Sequence, residues 1–271
     1  MTPRAVTPPV VVTIAGSDSA GGAGIQADLR TFAAHNVHGA TVITVVTAQN
    51  TVETTKTGFL DADLVAAQLE AILADLPVAA VKTGMLGSAE VVELVAGVAA
   101  EGRLPNLVVD PVLVDSAGRL LFDEEVIDRY VSRLFPRATV VTPNIHEAAV
   151  ILGGIDRSLA GMEEAATRIG ATGPQGVVVK GGRLGGERSP DVVWTAGRTR
   201  QLAAARVATA NDHGTGCSLA AAIAANLALG HAIDDAIDGA KTFVTDAIAA
   251  AAPWRLGRGH GPIDHLRWSN R

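Results

Sequence analysis

The segment His213–Cys217, read as HGTGC, places polar side chains and two glycines directly before a run of small residues that predicts a helix. Gly214 and Gly216 let the backbone approach a ligand closely, and the first amides of a helix point out of it as donors. The amides of Thr215, Gly216 and Cys217 are therefore predicted to form an anion hole. The only cysteine of the chain, Cys217, lies in the first helical turn, where the dipole favours a thiolate. The alternative is a small buried apolar side chain, the usual state of a free cysteine; its place beside a double-glycine turn favours the functional interpretation.

Four further polar residues follow apolar runs that predict strands: Asp110, Asn144, Glu147 and Lys180. Carboxylate and amide oxygens at strand ends suit hydrated Mg²⁺, and a lysine can meet phosphate oxygens as a point charge. A purely structural interpretation is also open, because Asn144 and Glu147 have the spacing of a helix capping box. Asp110 precedes a proline and equally fits a turn.

The glycine-rich segment from Ala15 to Asp28 follows an apolar run and opens a helical pattern, so its amides are placed to hold a polar ligand. A tight turn that needs glycine is an equally good interpretation. Its glycines do not have the dinucleotide-binding spacing, and the chain contains no phosphate-binding loop of the G-x-x-x-x-G-K-[ST] type. The seven histidines are scattered, which argues against a transition-metal site.

The elements that must position these residues alternate along the chain as apolar runs and helical patterns. Val65, Leu69, Ile72, Leu73 and Leu76 share one helical face, which Asp61 or Asp63 is placed to cap. Unbroken apolar runs are typical of strands buried on both faces of a parallel sheet. The sequence thus predicts an α/β fold with helices on both faces of a mostly parallel sheet, over one domain from residue 10 to 268 and a loose tail over 1–9. The predicted strands are Val10–Ala15, Thr41–Thr47, Val78–Lys82, Leu107–Asp110, Thr139–Thr142, Gly176–Lys180 and Asp191–Trp194.

Composition excludes several classes of function. Aromatic residues are 3% of the chain and the net charge is −6, which argues against a nucleic-acid partner. The most apolar segment, Ser218 to Leu229, is too short to cross a bilayer, which needs roughly 20 residues. A single cysteine cannot form an internal disulfide. We therefore expect a cytoplasmic protein that acts on small molecules, without a membrane partner.

Taken together, these segments resemble the hydroxymethylpyrimidine/phosphomethylpyrimidine kinases of thiamine biosynthesis, which belong to the ribokinase superfamily. The resemblance is carried in order, from about Val10 to about Trp268, by AGSDSAGGAGIQADLRTF, TVVTAQNT, KTGMLG, VVDPVLV, TPNIHEA, VVVKGG, HGTGC and GRGHGP. It implies a ribokinase-like three-layer α/β/α fold. It also implies two successive phosphorylations with ATP and Mg²⁺, first of 4-amino-5-hydroxymethyl-2-methylpyrimidine and then of its monophosphate. We further expect a homo-oligomer, a dimer.

The resemblance also implies a role for each matching residue. Residues 214–217 would stabilise the transferring phosphoryl group, with Cys217 accepting the hydroxyl proton. Asp110 and Glu147 would act through Mg²⁺, with Lys180 and Asn144 at the nucleotide. Asp212 stands where the family commonly has threonine, so its charge opposes a thiolate at Cys217. The pyrimidine pocket would be formed by Gly16, Asp28, Gln49, Met85 and Val112.

Two alternatives remain open. A pyridoxal/pyridoxine kinase would share the fold and the GTGC loop, although the TAQNT and GMLG segments favour the pyrimidine. A non-catalytic relative would bind the pyrimidine without phosphorylating it. Loss of Cys217 or of the neighbouring glycines would favour that second alternative, and all of them are present.

Overall fold

A computed structural model describes residues 7–115 and 118–270. Its described strands form one nine-stranded sheet in the order β3-β2-β1-β4-β5-β6-β7-β8-β9. The six strands from β2 to β7 in that order are parallel, and β3, β8 and β9 are added antiparallel at the two ends. The strands are β1 Val10–Asp18, β2 His38–Gln49, β3 Thr54–Phe59, β4 Val78–Thr83, β5 Leu107–Val109, β6 Val140–Val141, β7 Gly176–Lys180, β8 Arg188–Thr195 and β9 Arg198–Ala205.

The helices pack on both faces of this sheet. A π-helical turn over Tyr130–Leu134 and a 3₁₀ turn over Phe135–Arg137 extend α4, and another 3₁₀ turn spans Trp268–Asn270. The α-helices are α1 Gly24–Ala34, α2 Ala62–Leu73, α3 Ala89–Ala100, α4 Glu124–Arg129, α5 Ile145–Leu152, α6 Leu159–Gly170, α7 Thr215–Ala228 and α8 Ile233–Ala251.

Side chains alternate between two cores along each parallel strand, as the two-residue period of a strand requires. Val12, Val81 and Val109 face the core that contains α2 to α6, whereas Val11 and Val108 face the core of α1, α7 and α8. The predicted α/β class with helices on both faces is therefore confirmed. All seven predicted strands are present, although β5 and β6 are shorter than expected.

The predicted α2 helix is confirmed with Asp61 as its cap, since this carboxylate accepts the Leu64 amide at 2.8 Å. Leu76 lies beyond its last residue. Two of the described strands, β3 and β9, were not predicted from the sequence. Both are largely exposed edge strands without a buried apolar run, so the pattern that identified the other strands is absent from them.

The polarity of chain connection reverses at β1, whose parallel neighbours are β2 on one side and β4 on the other. In open α/β sheets, ligands bind outside the carboxyl ends of the strands at such a switch point. The segments after β1 and β4 therefore line the expected crevice. The helix α7 packs on both of these strands. The predicted tail over residues 1–9 lies partly outside the described residues. Only 7–9 are described, and these form neither helix nor strand.

None of the helices in the described ranges has the length and apolar character needed to cross a bilayer.

Candidate active site

The helix α7 begins on Gly214, which adopts a left-handed backbone with φ +80°. A side chain at Gly214 would collide with the carbonyl oxygen of Gly22, in the loop between β1 and α1. The two glycine-rich loops predicted from the sequence are therefore in direct backbone contact. Within the described chain, the amides of Gly216 and Cys217 have no hydrogen-bond partner, whereas that of Thr215 donates to the Asp212 carbonyl at 3.3 Å. Two of the three predicted anion-hole amides are thus open.

The Lys180 side chain lies directly beside the start of α7. Its ammonium donates to Asp110 Oδ1 at 2.7 Å, and Thr142 donates to the same oxygen at 3.1 Å. A Cβ at Gly216 would lie 3.1 Å from Lys180 Nζ and 3.9 Å from Asp110 Oδ2. The carboxyl ends of three strands thus bring a cation and a carboxylate to the open amides.

Asn144 and Glu147 form the capping box that the sequence left open as one interpretation. The Asn144 side chain accepts the amides of His146 and Glu147, and Glu147 Oε2 accepts the Asn144 amide at 2.7 Å. Burial raises the pKa of Glu147 to about 8, although Lys180 acts in the opposite direction. Asp110 also raises it, which places the two carboxyl groups within electrostatic reach of each other.

These carboxyl groups fit Mg²⁺ by their chemistry. No cluster of three or more His, Cys, Asp or Glu side chains able to hold a metal occurs in residues 7–115 and 118–270. Mg²⁺ does not need such a cluster, because it is usually bound through one or two carboxylates plus phosphates and waters. Asp110 Oδ2 has no hydrogen-bond partner among the described residues, and the Glu147 carboxyl is held by the backbone amides of Asn144 and Leu113. The donor set is therefore suited to a hydrated cation that also contacts a nucleotide.

Asp28 and Lys82 form a fully buried ion pair under the same loops. Lys82 Nζ lies 2.8 Å from Asp28 Oδ2, and both side chains are 0% exposed. Thr13 donates to the same carboxylate oxygen at 2.6 Å, whereas Asp28 Oδ1 is buried and finds no partner within the described ranges. Although burial opposes its charge, Lys82 has a pKa above its ordinary value because of Asp28, with smaller effects from Cys217 and Asp110. Asp28 is thus an acceptor with one oxygen left open.

Gln49 ends β2 and reaches the loop before α7 through His213. The Gln49 side-chain nitrogen lies 3.0 Å from His213 Nε2, and the Gln49 side-chain oxygen accepts from Thr54 at 3.1 Å. His213 Nε2 also lies 3.1 Å from Asp18 Oδ2, which accepts the amides of the glycine-rich loop after β1. Three segments of the crevice therefore meet at the His213 imidazole.

The other predicted pocket residues lie at neighbouring strand ends. A Cβ at Gly16 would lie 3.9 Å from Met85 Cβ, so these two positions are adjacent, and Met85 is half-buried. Val112 is half-buried two residues beyond Asp110, past the end of β5. In the part of the chain described, no direct hydrogen bond joins Gln49 to Asp28.

Burial raises the pKa of the Cys217 thiol to about 11, with Asp28 and Asp110 adding to the effect of burial and Lys82 opposing it. This direction is opposite to that expected from the helix dipole, because desolvation of the thiolate outweighs the dipole. The Asp212 carboxylate pairs with the His260 imidazole at 2.7 Å. The thiol is thus protonated near neutral pH.

Sequence reasoning gave no role to Lys82, His213 or Asp18. Lys82 stands within the KTGMLG segment and is one of four lysines, a rarity that was the available signal. Its partner lies 54 residues away, so no local pattern identifies the pair. His213 is the first residue of HGTGC, yet its partners come from two other strands.

Comparisons with known proteins agree on one family. The sequence model described as phosphomethylpyrimidine kinase matches residues 18–264. Over 259 residues the chain is 47% identical to a hydroxymethylpyrimidine/phosphomethylpyrimidine kinase of Synechococcus elongatus, covering 95% of this chain and 97% of that protein. A second such kinase, from Rhizobium meliloti, is 44% identical over 265 residues, with 96% and 98% covered.

Solved structures show the same fold with two kinds of kinase. An ADP complex of Bacillus subtilis pyridoxal kinase has a TM-score of 0.89 and 39% identity, covering 95% of this chain and 97% of that one. The phosphomethylpyrimidine kinase of Clostridium difficile 630 has a TM-score of 0.78 and 37% identity, covering 89% and 99%. The expected ribokinase-like architecture is therefore confirmed.

Proposed function

This chain belongs to the phosphomethylpyrimidine kinase family and is an ATP-dependent kinase of thiamine biosynthesis, and on that basis we propose two successive reactions for it. In the first, the hydroxymethyl group of 4-amino-5-hydroxymethyl-2-methylpyrimidine receives the γ-phosphoryl group of ATP. In the second, the resulting monophosphate receives another phosphoryl group and becomes the diphosphate. Mg²⁺ is the proposed cofactor of both.

One observation carries this proposal: Lys180 Nζ and Asp110 Oδ2 lie against Gly216 at the open start of α7. Phosphoryl transfer depends chiefly on positioning and on stabilising negative charge on the transferring group. The amides of Gly216 and Cys217, the helix dipole and the Lys180 ammonium together offer positive potential at one place. This arrangement suits the transferring phosphoryl group, and Gly214 and Gly216 place no side chains beside it.

Asp110, Glu147 and Asn144 would serve the nucleotide side of the site. Asp110 and Glu147 would hold Mg²⁺, which neutralises charge on the nucleotide phosphates when it is bound. A cation beside Glu147 would also favour ionisation of a carboxyl whose pKa burial raises to about 8. Asn144 caps α5 and thereby keeps Glu147 in place.

The acceptor ring would lie at the switch point. Gly16 and Met85 would offer it a shallow apolar surface, and Val112 would extend that surface beside Asp110. Asp28 Oδ1 is a buried acceptor to which no described residue donates, which suits a ring amino group, and the Gln49 amide offers both a donor and an acceptor. Cys217 would stand next to the reacting hydroxyl. Its neutral thiol supports a role in shaping the anion hole more than a role as base.

A second acceptor, pyridoxal, is favoured by one observation: the similarity of fold to the Bacillus subtilis pyridoxal kinase, with a TM-score of 0.89. An ATP-consumption assay with three acceptors separates the candidates. We expect turnover with the hydroxymethylpyrimidine and with its monophosphate, and much slower turnover with pyridoxal. Faster turnover with pyridoxal would overturn the proposed substrate, and binding without turnover would favour a non-catalytic pyrimidine-binding protein.

We also propose that residues 10–268 act as one domain and that the chain works as a homodimer. Both ends of the sheet belong to the same nine-stranded order, which supports a single domain.

The edge strand β3 is exposed along its whole length, and Phe59 at its end is 59% exposed. Exposed edges of this kind are templates for pairing with another chain. Light scattering at assay concentration would give a monomer mass if the dimer proposal is wrong.

A further inference from the structure

The buried ion pair between Lys82 and Asp28 lies at the switch point of the sheet. Lys82 belongs to β4 and Asp28 to α1. Thr13 of β1 donates a hydrogen bond to the Asp28 carboxylate. Neither charged side chain is exposed. Buried ion pairs gain little stability over apolar replacements, while removal of one partner leaves a costly unpaired charge. A pair of this kind next to a ligand crevice therefore calls for an explanation beyond stability.

The two oxygens of the Asp28 carboxylate have different surroundings. Oδ2 accepts from Thr13 at 2.6 Å and from Lys82 at 2.8 Å. Oδ1 is buried and has no hydrogen-bond partner among the described residues. An ionised carboxylate only accepts hydrogen bonds, and an unsatisfied buried acceptor is unfavourable. The missing partner is therefore a donor, and a bound ligand can bring it.

We propose that Lys82 is a specificity-determining positioning residue that holds Asp28 by Oδ2, so that Oδ1 faces the acceptor ring as a fixed, ionised hydrogen-bond acceptor. The inference rests on the function proposed above and adds a cause for substrate choice. The ring selected in this way is one with an N–H donor, such as an exocyclic amino group. Lys82 acts through Asp28 and contacts no reacting atom.

The Lys82 ammonium opposes the effect of burial on Asp28, whose pKa nevertheless stays above its ordinary value. Burial raises the pKa of the Asp28 carboxyl, and the Lys82 ammonium acts in the opposite direction both by its charge and by its hydrogen bond. Without Lys82, Asp28 would become an unpaired buried acid, which neutralises by taking up a proton. A neutral carboxyl is a weaker acceptor than a carboxylate. The charge of Lys82 is thus what makes Oδ1 a strong acceptor.

The backbone leaves room for the ammonium at this place. A Cβ at Gly84 would lie 2.9 Å from Lys82 Nζ and 3.0 Å from Ala15 Cβ. Only a glycine at this position lets the Lys82 ammonium keep its location without displacement. Gly84 directly follows β4, the strand that carries Lys82. Both residues belong to the KTGMLG segment.

The experiment compares the binding of two ligands: the aminopyrimidine substrate and the analogue without the 4-amino group. Dissociation constants are measured by calorimetry for the wild type, Lys82→Met and the double variant Lys82→Met with Asp28→Asn. The matched control is Lys241→Met, since Lys241 forms a largely buried ion pair at 2.7 Å with Asp191 of β8, away from β4. Urea unfolding of each variant reports its stability.

We expect the wild type to bind the amino compound about 10- to 100-fold more tightly than the analogue, the range for a hydrogen bond to a charged group. Lys82→Met is expected to lose most of this preference. The double variant is expected to recover stability, because both buried charges are gone, and still to lack the preference. Lys241→Met is expected to lose stability and to keep the full preference, which separates positioning from mere support of the fold.

Retention of the wild-type preference in Lys82→Met overturns the inference. If Lys82→Met does not fold, the double variant provides the test. A wild-type preference for the amino compound in that variant also overturns the inference. A wild type that phosphorylates neither pyrimidine overturns the proposed function and this inference with it. A wild type that phosphorylates the pyrimidines, with an unchanged preference in the variants, overturns the role of Lys82 alone.

Discussion

The close backbone contact between Gly214 and Gly22 gives a prediction with a calculable size. In Gly214→Ala the residue must adopt φ +80°, which costs a non-glycine residue roughly 1–2 kcal/mol. Its Cβ would also collide with the Gly22 carbonyl oxygen, a backbone atom that moves only if the loop moves. The start of α7 must therefore shift away from the loop after β1, and the open amides of Gly216 and Cys217 shift with it.

Loss of one comparable preorganised donor lowers kcat by about 10²–10³. We expect Gly214→Ala to lower kcat by at least this factor and to lower the free energy of unfolding. The matched control is Gly230→Ala at the other end of α7, where φ is +88° and no atom of the residues that the structure describes lies within 4 Å of the new Cβ. It is expected to lose roughly 1–2 kcal/mol of stability with kcat unchanged. Steady-state kinetics and urea unfolding measure both effects. Similar kcat values for the two variants would refute the role of the loop contact.

Three further variants test individual residues. Gln49→Leu is expected to weaken pyrimidine binding by roughly 1–3 kcal/mol and to leave the KM for ATP unchanged; an equal loss for both substrates contradicts the assignment. Glu147→Gln keeps the capping box and should raise the Mg²⁺ concentration needed for activity. Without Mg²⁺, the folded chain holds more protons at Glu147 than the unfolded chain between its ordinary pKa of 4.5 and the raised value of about 8, so stability should fall as pH rises through that window. Glu147→Gln should make this fall in stability with pH smaller. An unchanged Mg²⁺ requirement would limit the role of Glu147 to capping α5. Cys217→Ala is expected to lower kcat for both phosphorylations with little change in KM, and alkylation of the wild-type thiol should accelerate as pH rises toward about 11. A near-normal kcat would assign the step to the amides alone.

The central part of the fold could be predicted because its strands are buried on both faces. A run such as GVVVK, which forms β7 from Gly176 to Lys180 after the helical pattern of α6, is typical of a strand buried on both faces. The edge strand β3 shows no such run, since its position depends on pairing with β2 and not on burial. Edge strands of this kind are set by tertiary context, which a local pattern does not contain.

The site was predictable where its residues follow strands directly. Asp110 and Lys180 were expected at one edge of the sheet for this reason, and the structure joins them at 2.7 Å. The pairing of Lys82 with Asp28 was not predictable, because it depends on how α1 packs across β1. The charge state of Cys217 was likewise missed, since its burial is a property of the packed loops and its helical position indicates the opposite direction.

The central claim, that one site performs two successive phosphorylations of an aminopyrimidine, is tested most directly by ³¹P NMR of a single reaction mixture. The enzyme is incubated with ATP, Mg²⁺ and 4-amino-5-hydroxymethyl-2-methylpyrimidine, and the phosphorus signals are followed in time. We predict that a phosphomonoester signal rises first and then gives way to the paired signals of a diphosphate ester, with ADP formed at both stages. Gly214→Ala should slow both stages together. A phosphomonoester that accumulates without further conversion, or an unchanged ATP spectrum, would contradict the account.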